Sequence, residues 1–235
     1  MNRKVVNIME SYEEGNPIRT MDMNSILTNT FFRMFLGLLA SAITAFYAYK
    51  SGIYISMIEG GTYGALAVAE VVVVIIFSLL FRKLSPMAVT ILFYAYAFLN
   101  GFTLSIIFAV FEMTSIVYAF AGTAVLFGTL AYIGYKTNRD ISSFGTILSV
   151  ALIIGLVLTI INLFLGNTFL DLVLDWAMLI VFCGLTVYDM NKIRAMQEAG
   201  FCDDEKLYVY GAMELYLDFI NIFLRILSLF GKSKD

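Results

Sequence analysis

The chain has 235 residues, of which 60% are hydrophobic and 14% charged, with a formal net charge of −3 and a mean hydropathy of +0.86. A soluble domain carries about a quarter charged residues, so this balance describes an integral membrane protein; with no long basic run, it also excludes a nucleic-acid partner. The absence of histidine removes His-based catalysis, an intramembrane Ser-His protease, His metal sites and imidazole pH sensing.

Residues 1–27 form a polar N-terminal tail without the apolar core of a cleavable signal peptide. The first apolar run therefore serves as both insertion signal and retained helix. A bilayer-spanning helix needs about 20 mostly apolar residues. Six runs meet this readily, over 28–49, 61–81, 86–111, 115–135, 144–166 and 169–190. Their continuity predicts helices, since barrel strands would alternate in short segments. The second run carries Glu70 near its middle and ends at Arg82; the sixth carries Asp189 near its end, just before Lys192 and Arg194. Cys183 in that run and Cys202 beyond it show no framework spacing and are read as neither disulfide-bonded nor catalytic. The stretch "NKIRAMQEAGFCDDEK" after the sixth run is read as an exposed, charged loop.

A seventh run, 207–230, is apolar enough to span but contains Glu214, Asp218, Asn221 and Arg225 on one helical face. Each such charge costs roughly 2.5–3.5 kcal/mol at the bilayer centre, so three facing lipid would cost about 8–10 kcal/mol. The expected fold is therefore an all-α membrane protein. Its seven transmembrane helices form one domain over 28–231, with the polar seventh at the centre of a bundle made by the first six. A short tail, 232–235, follows.

Lys and Arg are concentrated in the N-terminal tail and in the second, fourth and sixth loops, with Lys50 on the other side. The positive-inside rule then places the N-terminus in the cytoplasm and, with seven spans, the C-terminus opposite. Lys232 and Lys234 lean the other way, and a re-entrant seventh segment is the alternative. Glu59, Glu112, Asp171 and Asp175 fall near the non-cytoplasmic ends. They are either simply tolerated there or form an acidic outer mouth that concentrates cations.

Glu70 reads either as a neutral carboxyl bonded to a neighbour or as part of a polar pathway with Glu214, Asn221 and Arg225. Asp189 reads either as an ordinary helix-end acid or as a partner of Asp218, with Arg82 on the same side. Two carboxylates held together cannot both ionise cheaply, so such a pair can share a proton. Deprotonation would then bring repulsion, and a nearby arginine would pair with one acid, as in a two-state gate.

"VYDMNKI" and "ELYLDFINIFLRIL", with "AVAEVVVVIIF" and "YAYAFLNGFTLSIIF", resemble the Bax inhibitor/transmembrane Bax inhibitor motif family over about residues 25–231. The short chain, without eukaryotic features, fits a prokaryotic member in a bacterial plasma membrane. The resemblance implies a seven-helix protein acting as a pH-sensitive calcium leak channel. It implies that Asp189 and Asp218 are the pH sensor and gate, with a transient calcium contact at the same two residues. Arg82 corresponds to a latch, with Lys83 as its off-by-one alternative, and Glu70 to an intramembrane acid. Calcium is the transported ion, protons and lipid are the other partners, and no cofactor is implied. Eukaryotic members resemble suppressors of cell death, a role not carried over. Two further readings stay open: a proton-coupled cation transporter with Glu70, Asp189 and Asp218 as a relay, and a non-transporting scaffold whose polar residues serve packing. An enzyme is not expected, because no nucleophile–base pair, nucleotide loop or HExxH motif occurs. Residues 207–230 contain no lysine for a retinal Schiff base.

Overall fold

A computed structural model describes residues 22–81 and 83–234. Arg82 and most of the 1–27 tail, residues 1–21, lie outside the described residues. The described chain is helical, and six of its helices are long and apolar enough to cross a membrane.

Each helix begins where the local chemistry dictates. Helix α1, Met23–Lys50, is capped by Asp22, whose carboxylate accepts the Ser25 N–H at 2.9 Å. A short α2, Ile53–Glu59, follows Gly52, whose φ of +76° suits glycine. Helix α3, Thr62–Leu80, follows a second left-handed glycine, Gly61. Helix α4, Pro86–Leu104, starts with Ser85 as cap and proline in its first turn. The third apolar run does not continue unbroken to 111. It stops at Leu104, and a short α5, Ile107–Val110, resumes after Ser105 has turned its amide and hydroxyl to the Phe102 carbonyl. Helices α6, Met113–Lys136, and α7, Ser142–Leu165, follow.

Helix α8 runs from Thr168 to Glu198, capped by Asn167. It extends eight residues past the apolar run, through the first half of the stretch read as a loop. The charged residues there keep helical spacing, with Arg194 and Glu198 paired at 2.8 Å across one turn. Gly200, at φ +57°, then breaks the chain before α9, Asp204–Phe230. Both cysteines are free.

Helix α9 packs against α1, α4, α6 and α8. None of its residues from Lys206 to Leu227 is exposed. Tyr216 meets Phe93 and Tyr96 of α4 edge-on, while Phe219 meets Phe120 and Phe127 of α6. At one end Glu205 lies 3.9 Å from Arg33, near the start of α1. At the other, the strand after α9 bonds to the α5–α6 corner, Glu112 N–H to Lys232 C=O at 3.0 Å and Lys234 N–H to Val110 C=O at 2.8 Å. Lys234 there lies over Tyr49, near the end of α1. Thus α9 runs the length of α1, in the same direction. Helices α3 and α7 are the least buried of the apolar helices. Leu79 on α3 and Leu163 and Phe164 on α7 turn large apolar surfaces outward, as lipid-facing positions do.

Candidate functional site

The polar side chains of α9 meet three separate groups of partners. The first runs from the second turn of α9 to its middle, on the seam with α8. Asp189 and Asp218, 5% and 3% exposed, lie close enough to interact electrostatically. Glu214 and Lys192 also act on them. Lys192 lies three residues after Asp189, hence on the same face of α8. Its ammonium donates to the Tyr210 hydroxyl at 2.5 Å and sits 4.0 Å from Glu214. The Thr186 hydroxyl lies against Asp218 and donates to the Phe182 carbonyl at 2.9 Å. Asp218 Oδ2 is buried without a hydrogen-bond partner among the described residues. Among the described residues, three carboxyls thus lie with the Lys192 ammonium beside Tyr210; Phe77 of α3 stacks on that ring, and Phe81, just after α3, packs against it at a tilt with the Lys206 ammonium over its own ring. The expected latch, Arg82, adjoins this stack in sequence but lies outside the described residues; the alternative, Lys83, is exposed.

The second group lies on the other side of α9. Tyr216 and Asp218, two residues apart, point about 200° apart on a helix. Tyr216 donates to Asn100 Oδ1 at 2.9 Å and shares a 2.6 Å hydrogen bond with Ser41. Asn100 donates to Glu70 at 3.2 Å, and Thr103 donates to the other Glu70 oxygen at 2.6 Å. Glu70 is therefore a satisfied buried carboxyl reached through α4, not a neighbour of the aspartates. The sequence reading missed Ser41, Asn100, Thr103 and Tyr216. Asn100, an amide inside an apolar run, was the available signal.

The third group lies toward the far end of the α8–α9 seam. Arg225 Nη1 donates to Asp175 Oδ1 at 2.6 Å, and the Ser228 hydroxyl donates to Oδ2 at 2.5 Å. Asp175 is 8% exposed and is engaged by α9, unlike an acid of an open mouth. Asp171, one turn earlier, accepts from Asn162 at 2.5 Å, Glu112 pairs with Lys232 at 2.6 Å, and Glu59 is exposed. Asn221 donates to the Leu217 carbonyl within its own helix at 2.8 Å. Among the described residues no three His, Cys, Asp or Glu side chains group as metal ligands. Any calcium contact at Asp189 and Asp218 would rest on those two acids.

The chain is similar to known proteins over most of its length. Residues 23–235 match the family model described as "Inhibitor of apoptosis-promoting Bax1". Inner membrane protein YbhL of Escherichia coli K12 is 39% identical over 208 residues, 86% of this chain and 88% of that protein. An uncharacterized membrane protein of Streptococcus pyogenes serotype M3 is 38% identical over 173 residues, 73% and 74% of the two chains. A Rickettsia prowazekii protein is 32% identical over 185 residues, 78% of each chain. The chain is an integral membrane protein belonging to the Bax inhibitor family.

Proposed function

We propose that the protein is a passive, pH-gated calcium leak in a bacterial plasma membrane, closed while Asp189 and Asp218 share a proton. The observation that carries the reading is the burial of these two carboxyls within electrostatic reach of each other, with Asp218 Oδ2 left unpartnered among the described residues. Loss of that proton leaves adjacent buried negative charges, and their repulsion drives α8 and α3 away from α9. In this reading α9 is a seventh span at the centre of the bundle. Its 27 residues extend about 40 Å, enough to cross the hydrocarbon core. The N-terminus is then cytoplasmic and the C-terminus opposite.

Calcium flux into proteoliposomes across a pH series tests the reading. Flux is expected to rise as pH rises, and Asp189→Asn and Asp218→Asn are each expected to flatten that rise. Variants that keep the wild-type profile would show that the pair is not the sensor. A relay through Glu70 is less well supported, because Glu70 bonds on the opposite side of α9. If an imposed proton gradient drove calcium uphill, the passive reading would give way to coupled transport.

A further inference from the structure

The Asp175–Arg225–Ser228 group lies on the same α8–α9 seam as the aspartate pair. Thr186 to Asp175 is eleven residues along α8, about 16 Å, and Asp218 to Ser228 is ten along α9, about 15 Å. The registers agree because the two helices form an antiparallel hairpin. Between the two polar groups lie buried Met178, Leu179 and Phe182 of α8 and Ile222 of α9. The seam is therefore charged at both ends and largely apolar between them, with only Asn221, whose amide serves its own helix, interrupting it.

Both Asp175 oxygens are occupied, by Arg225 and Ser228. Arg225 is held less completely: Nη1 makes the ion pair, while Nε is buried with no partner among the described residues. A guanidinium normally grips a carboxylate with two parallel hydrogen bonds, whereas here Ser228 takes the second oxygen. One turn toward the helix start, Asp171 lies on the same face of α8 and is exposed. Along α8 an accessible acid, which accepts from Asn162, thus precedes a buried acid masked by a positive charge.

We propose that the Asp175–Arg225 ion pair is a second closure of the cation path, in series with the aspartate pair, which a divalent cation opens by taking the Asp175 carboxylate from Arg225. Arg225 then determines specificity: a monovalent cation competes weakly with a guanidinium for one carboxylate, and a divalent one competes better. The exchange is one of counter-ions and breaks no covalent bond. Its placement on a cation path rests on the leak reading above.

The molecule carries a probe for this exchange. Trp176 is the chain's single tryptophan, adjoins Asp175, and packs edge-on at 5.7 Å against Phe230, two residues beyond Ser228. Calcium is titrated into the purified full chain in detergent while Trp176 fluorescence is read. A saturable change is expected in the wild type and none in Asp175→Asn. In Arg225→Gln, half-saturation is expected at about tenfold lower calcium, since a charged competitor is gone. In proteoliposomes Arg225→Gln is expected to raise calcium flux severalfold at every pH while keeping the shape of the pH profile. Ser228→Ala retains the ion pair and is expected to shift both readouts in the same direction, less far, so the test survives poor folding of the arginine variant. A flat titration in the wild type, or unchanged half-saturation in Arg225→Gln with unchanged flux, would reduce the group to a packing contact. A wild type that titrates as expected yet passes no calcium at any pH would sink the leak reading and leave the exchange at Asp175 standing.

Discussion

Asn221 and Tyr216 show how little a shared helical stripe says about the partner of a side chain. Asn221 lies on the charged face of α9, yet its amide serves Leu217 one turn back. Asn221→Ala is therefore expected to keep the pH profile of calcium flux, with its magnitude changed by less than about twofold because no inter-helix contact is lost. Tyr216, unremarked as a tyrosine among apolar neighbours, ties α1 to α4 through Ser41 and Asn100. Tyr216→Phe leaves Asn100 Oδ1 and the Ser41 hydroxyl without this partner, an expected loss of about 1–3 kcal/mol in reversible unfolding of the detergent-solubilised protein. Gly134 offers a paired test on α6. A Cβ there would run into the Val187 carbonyl of α8, whereas one at Gly128 would meet nothing. Gly134→Ala is expected to destabilise by about 1–3 kcal/mol, as overpacking does. Gly128→Ala is expected to be neutral or to stabilise by up to about 1 kcal/mol. A melting temperature that falls equally in both would contradict the close α6–α8 approach.

Among the elements, α9 was legible because its charges were too expensive for lipid, and its burial from Lys206 to Leu227 follows that logic. Periodicity within one helix does not identify partners on another, which is why the Asp175 contact with Arg225, fifty positions away, could not be read. The same limit hid the Glu70–Asn100–Tyr216 chain. The over-long loop after the sixth run had a different origin. Charge was taken as a sign of irregular backbone, whereas α8 continues past its apolar stretch as a partly buried helix, with Ile193 in the core and Arg194 paired with Glu198. At the far end of α9, residues Lys232–Lys234 strap it to the α5–α6 corner by backbone and side chain. The hydrogen bond and charge of Glu112 hold the Lys232 ammonium above its ordinary value, so the strap is intact throughout the neutral range. Removing residues 232–235 is expected to lower the melting temperature by a few degrees, consistent with the loss of about 1 kcal/mol or more. An unchanged melting temperature would mean that the strap is idle.

For the molecule as a whole, the proposed topology puts Cys202, between α8 and α9, on one side of the membrane and Ser233 on the other. In Ser233→Cys, an impermeant maleimide applied to intact cells is expected to label position 233 and to reach Cys202 only after permeabilisation. Burial holds the Cys202 thiol above its ordinary value, so labelling belongs at mildly alkaline pH. Labelling of both positions from one side would show that α9 re-enters rather than crosses. The pinning of α9 has a mechanical consequence. Tyr216 is tied on one side, Arg225 on another, Glu205 at one end and Lys232 at the other. A rod anchored in this way is an axle. It resists rolling or sliding, because any displacement that relieves one tether stretches another. In the proposed gate, work released by repelling charges would then be delivered to the rim, where α3 is the least buried of the apolar helices. The lipid around α3 would in turn load its movement, so bilayer thickness and stiffness should tune how far the rim moves for a given change in proton concentration.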